Sequence, residues 1–161
     1  MSSVRSVFSL LLTTAFLLTG HGIHMTFLPL MASDIGLSQT VIGISGSAYF
    51  AGFISGAMVT PHIIAKVGHI RSFTTLMAVF LCCFQILPMT DSSVMWILVR
   101  FLLGAVMCGA YTVVESWLSD QADASTHGRV LGIYTVVVLG AMALGQGLLS
   151  RTYGKPLRFS H

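Results

Sequence analysis

Five long apolar runs constrain this chain more than any other feature. They cover residues 7–30, 40–64, 72–89, 94–118 and 130–150. Each is close to the ~20 residues an α-helix needs to cross ~30 Å of hydrocarbon. No water is available there, so backbone N–H and C=O groups must bond within the segment. The runs are continuous rather than alternating, which argues against a membrane β-barrel. Composition agrees, because 55% of the 161 residues are apolar and only 8% are charged, against roughly a quarter charged in a soluble domain. The pattern predicts an all-α membrane protein of about five transmembrane helices, with the lipid bilayer as its main partner.

The first run looks at first like a secretory signal, since Arg5 precedes a stretch of apolar residues. No small-x-small cleavage site follows, and the apolar character persists to Leu30, so it reads as an uncleaved span. The loops at 32–39, 65–71, 90–93 and 119–129 are short, and no linker or low-complexity stretch interrupts residues 1–150. These residues form one transmembrane bundle. With alternating spans, Arg5, Lys66, Arg71 and Arg129 share one side, and the opposite loops hold only Asp34 and Asp91. The positive-inside rule then places the N-terminus in the cytoplasm.

The tail RTYGKPLRFSH, residues 151–161, breaks that pattern by putting Arg151, Lys155 and Arg158 on the outer side. It is either a short outer extension or a non-native continuation of a chain that stops early. The odd helix count and the misplaced basic residues make the second the expectation.

Small residues predict close helix contacts. Ala48, Gly52, Gly56 and Thr60 recur every fourth residue in the second span, with Ser47, Ala51 and Ser55 beside them. Ala141 and Gly145 do the same in the fifth span, beside Ala143 and Gly147. Four-residue spacing keeps such positions on one helix face, where backbones in lipid can approach closely. Cys82, Cys83 and Cys108 lie inside apolar runs without CxxC spacing. They read as small buried hydrophobes rather than a disulfide framework or metal knuckle.

Ionisable groups inside the membrane are costly and are functional candidates by default. His21 and His24 lie in the first span, and Arg100 and Glu115 in the fourth; His62 and Gln146 are weaker candidates. The two histidines share a face. They can hydrogen-bond neighbouring helices, line a cavity or, least of all without a carboxylate, hold a metal. Fifteen residues separate Arg100 from Glu115, about 22 Å along a helix axis and about 60° in rotation. They cannot pair, but both can face one water-filled path, with Tyr111 a turn before Glu115. Alternatively, Arg100 snorkels outward and Glu115 sits at the inner interface.

The stretches GFISGAMVTPHIIAKVGHIRSF, VRFLLGAVMCGAYTVVESWLSD and HGRVLGIYTVVVLGAMALGQ resemble the N-terminal half of a major facilitator superfamily transporter. More narrowly, they resemble poorly characterised bacterial permeases of that superfamily, and the resemblance covers nearly all of the chain to about Leu149. Lys66 and Gly68 match the basic position and glycine of the superfamily's loop signature. Ala65 replaces its acidic residue, and His69-Ile70 its basic pair, with Arg71 just beyond. Arg100 and Gly104 match the fourth-span signature, with Leu103 in place of its glutamine. Gly145-Gln146 stands where antiporters carry Gly-Pro, so no antiporter is inferred.

The resemblance implies two six-helix halves of three-helix inverted repeats, with a substrate path between the halves. The first and fourth helices of a half line that path. His21, His24, Arg100, Tyr111, Glu115 and Gln146 are therefore candidates for a substrate or proton pathway. Lys66, Gly68 and Arg71, with Asp120 and Arg129, would form a cytoplasmic gate. Ala48, Gly52, Gly56, Gly104 and Gly145 would carry helix packing.

The expected function is secondary transport of an unspecified small molecule across the bacterial inner membrane. Five helices are an incomplete six-helix bundle, so the chain is expected to be a truncated, inactive fragment lacking a C-terminal half. No cofactor, metal or nucleic acid is expected. A membrane enzyme is the weakest alternative, for no HExxH motif, nucleophile arrangement or phosphate-binding glycine loop is present. The other alternative is a small structural or regulatory membrane protein acting through helix association.

Overall fold

The apolar runs close their backbone hydrogen bonds as helices, the one open-ended solution available in hydrocarbon. The computed structural model describes residues 2–121 and 126–153. It contains α1 (Ser2–Asp34), α2 (Gln39–Val67), α3 (His69–Ile86), α4 (Ser93–Gln121) and α5 (His127–Tyr153). All five are long and apolar enough to span a membrane, and the described residues include no strand. Lys155 and Arg158 of the basic tail lie outside the described residues.

Local chemistry sets the helix ends. Gly36 takes φ 81° after α1. Its N–H donates to the Ser33 carbonyl and the Leu37 N–H to the Ala32 carbonyl, both at 3.0 Å. This pair of bonds is a Schellman stop. Ser38 caps α2, its Oγ accepting from the Val41 N–H at 3.3 Å. The expected loop at 65–71 shrinks to Gly68, whose N–H caps α2 through the Ile64 carbonyl at 2.8 Å. With φ 82° and ψ 169°, Gly68 occupies a region open almost only to glycine. The chain therefore turns on one residue, and α3 starts at once.

Pro88 lies in a short 3-10 turn, Leu87–Met89, that follows α3. The next turn is pinned by Trp96, which is 1% exposed. Its Nε1–H donates to the Thr90 carbonyl at 3.0 Å.

The helices divide into two compact units. One comprises Met1–Met31 with Leu118–His161, the other Ala32–Trp117. In the first, α1 and α5 cross closely. A Cβ at Gly145 would collide with the Thr19 carbonyl, and one at Gly22 with the backbone of Met142. Ala141 and Gly145 are buried while Ala143 and Gly147 are exposed, so only one of the two small-residue rows is packed.

In the second unit, α2 and α4 touch backbone to backbone. A Cβ at Gly52 would overlap the Phe101 carbonyl, one at Gly56 the Ala105 carbonyl, and one at Gly104 the Tyr49 carbonyl. The buried row on α2 is Ser45, Tyr49, Gly52, Gly56 and Thr60, spaced by four residues with a single step of three. Ala48 is half-buried, and Ser47 and Ala51 are exposed.

α4 is buried over 61% of its apolar window, against 17–28% for the other helices. Several hydroxyls inside the spans bond their own helix. Thr14 donates to the Leu10 carbonyl and Thr112 to that of Cys108, at 2.8 and 2.9 Å, which leaves no cost of a bare hydroxyl in lipid.

Candidate functional site

The glycine contacts place an arginine against an aromatic ring. Gly104 lets α4 reach the backbone at Tyr49, and Arg100 lies one turn before Gly104. Its guanidinium carbon sits 4.9 Å from the centroid of the Tyr49 ring. Arg100 is 5% exposed, and its buried Nη1 has no hydrogen-bond partner among the described residues. An arginine keeps its proton in proteins, so α4 carries a full buried charge, with the electron-rich face of Tyr49 against it.

Aromatic rings continue from that point. Tyr49 lies 6.4 Å from Phe53, and Phe53 lies 6.2 Å from Tyr111, centroid to centroid. The row Tyr49–Phe53–Tyr111 thus runs from Arg100 toward the turn that carries Glu115. Tyr111 is half-buried and Glu115 is exposed. Sequence reasoning missed Tyr49 and Phe53. Their i, i+4 spacing beside Gly52 was the available signal, since large residues flanking a small-residue crossing must face the partner helix.

In the other unit, His21 and His24 are both buried on α1, at 4% and 3% exposure. Their rings stack at 6.0 Å between centroids and 27° between planes. A Cβ at Gly22 would meet the backbone of Met142, while Gly20 has open space among the described residues. Gln146 is exposed on α5. His62 is exposed, with Nδ1 3.0 Å from the Met58 carbonyl of its own helix.

At the α2–α3 turn, Val67, Gly68, His69, Ile70, Arg71 and Trp117 line a recess of about 410 Å³. His69 ties the turn to α4. Its Nε2 lies 3.0 Å from Ser116 Oγ, a hydrogen bond whose direction follows the tautomer, and its ring stacks on Trp117 at 6.1 Å. Lys66 and Arg71 are exposed there. Asp120 and Arg129 are exposed and belong to the first unit.

Among the described residues, no three His, Cys, Asp or Glu side chains gather as a metal site. Cys82 is exposed, and Cys83 and Cys108 are buried, all as free thiols.

Five helices long and apolar enough to span a membrane, joined by short turns and with a buried arginine on α4, define an all-α membrane protein. The chain belongs to the Major Facilitator Superfamily, whose family model matches residues 10–154. It is 29% identical over 152 residues to the uncharacterized MFS-type transporter YcaD of Escherichia coli (strain K12). The same identity is found with YcaD of Escherichia coli O9:H4 (strain HS) and of Escherichia coli O157:H7 (strain EC4115 / EHEC). The match covers 94% of this chain and 40% of each relative's length, so the chain spans less than half of these relatives. No solved structure matches it.

Proposed function

We propose that the chain forms part of a secondary active transporter for a small molecule, with a substrate path running beside α4. The observation that carries this reading is the buried charge of Arg100 within a superfamily chain. An ion held in hydrocarbon without a counter-charge costs several kcal/mol, a cost retained where it serves a path. Arg100, Tyr111 and Glu115 line the path from α4, and His21 and His24 supply proton-binding groups on α1. Gln146 is a polar position on α5. Lys66, Gly68 and Arg71 form a gate at the cytoplasmic side, and Asp120 and Arg129 are further charged positions of that side.

Alternating access needs two bundles rocking about a midplane site, so the working assembly includes a C-terminal half. The assembly sits in the inner membrane with the N-terminus in the cytoplasm, as the basic loops favour. Superfamily membership supports transport over enzyme catalysis, and over a purely structural role.

The test is uptake by the chain assembled with a complementary C-terminal half in proteoliposomes, using a trapped pH dye and a panel of labelled metabolites. Arg100→Ala and Glu115→Gln should each reduce uptake or proton movement at least tenfold. Unchanged flux in both variants removes the two residues from the mechanism.

A further inference from the structure

Of the eight Lys and Arg residues in the chain, only Arg100 lies inside an apolar run. The described carboxylates Asp34, Asp91, Glu115 and Asp120 are all exposed, whereas Arg100 is buried. The Tyr49 ring covers the guanidinium at 4.9 Å, and a cation–π contact offsets only part of the cost of burying a cation. Nη1 remains buried without a hydrogen-bond partner among the described residues. With the ring occupying a face, an acceptor reaches the guanidinium in the plane of its fork, the direction from which carboxylates bind. One cation within the apolar layer is neutralised by one negative charge; a dianion would leave an excess charge in a low dielectric.

We propose that Arg100 binds the carboxylate of a monoanionic organic acid, with Tyr49 acting as a positioning residue that holds the guanidinium through its ring. This names the substrate class of the transporter reading and rests on that reading for the ligand's route. The anchor itself is local to α2 and α4. The glycine crossing at Gly52 and Gly104 sets the distance between arginine and ring, so the anion site is a consequence of close helix packing.

Binding tests the assignment separately from transport. The full chain is placed in nanodiscs of zwitterionic phosphatidylcholine, so that no anionic headgroup competes. Labelled benzoate is titrated, with lactate as a second monocarboxylate, benzamide as the neutral isostere and phthalate as the dianion.

Saturable benzoate binding is expected, with benzamide and phthalate at least tenfold weaker. Arg100→Gln should weaken benzoate at least tenfold and leave benzamide unchanged, and Arg100→Lys should fall between. Tyr49→Phe keeps the ring and should retain affinity, whereas Tyr49→Leu should lose threefold or more of the preference for benzoate over benzamide. If Arg100→Gln does not fold, the benzoate–benzamide comparison on the unmodified chain and the Lys variant decide.

The proposal is overturned if the folded chain binds neither benzoate nor lactate, if benzoate and benzamide bind alike, or if Arg100→Gln binds benzoate as tightly as the original. Arg100-dependent binding without any uptake in the assembled transporter would refute the transport reading and leave the anion site standing. Uptake of neutral solutes alone would do the reverse.

Discussion

Gly52→Ala measures how much stability depends on the α2–α4 crossing. An ideal Cβ at Gly52 would overlap the Phe101 carbonyl oxygen, lie 2.7 Å from the Phe101 carbonyl carbon and 3.1 Å from the Ala105 nitrogen. All three are helix backbone atoms, so no rotamer change relieves the overlap. Carbon atoms pack best at about 3.5–4.0 Å, so the helices must part by about 1 Å. Separation loosens the neighbouring contacts of Gly56 and Gly104 as well. Overpacking of this kind costs about 1–3 kcal/mol.

Gly46→Ala is the control, because a Cβ there meets nothing within 4 Å among the described residues. Both substitutions gain the same helix propensity, up to ~1 kcal/mol, so their difference isolates the crossing. The assay is SDS-driven unfolding in mixed micelles followed by tryptophan fluorescence, since Trp96 and Trp117 both report from α4. Gly52→Ala should unfold at lower SDS than Gly46→Ala, by about 1–3 kcal/mol. Gly104→Ala should behave like Gly52→Ala, and the double variant should cost less than the sum because both act on one crossing. Equal unfolding midpoints for Gly52→Ala and Gly46→Ala would refute the crossing argument.

Gly68→Ala should destabilise the α2–α3 turn by about 1–3 kcal/mol, because φ 82° and ψ 169° are strained for any residue with a Cβ; the same SDS titration reads it. Trp96→Phe should cost about 1–3 kcal/mol, since it removes the donor to the Thr90 carbonyl at a buried position; Trp117 fluorescence follows the unfolding. In a background lacking Cys82, Cys83 and Cys108, Lys66→Cys should react with a membrane-impermeant maleimide only after spheroplasts are opened. Asp91→Cys should react before opening, and labelling of both from one side would reject the alternating topology.

The helices were legible because their cause is local. An unbonded peptide group in hydrocarbon is so costly that an apolar run of sufficient length must become a helix, and five runs yield five helices. The family was legible for a related reason, since Arg100, Gly104, Lys66 and Gly68 sit in local motifs. Helix ends were less so, because Gly68 turns the chain alone where seven residues looked like loop. The small-residue rows announced tight crossings but not which row is packed, since both rows share the same composition.

The chain's covalent order therefore determined that this is a multi-span membrane protein of a transporter superfamily, because hydrocarbon length and charge exclusion act along the chain. Tertiary structure alone decided that Tyr49 covers Arg100, that Phe53 links Tyr49 to Tyr111, and that His69 reaches Ser116. The Arg100–Tyr49, Phe53–Tyr111 and His69–Ser116 contacts each join residues of different helices. Their distances follow from how closely two backbones approach and at what rotation, and that geometry is set only when the glycine faces meet.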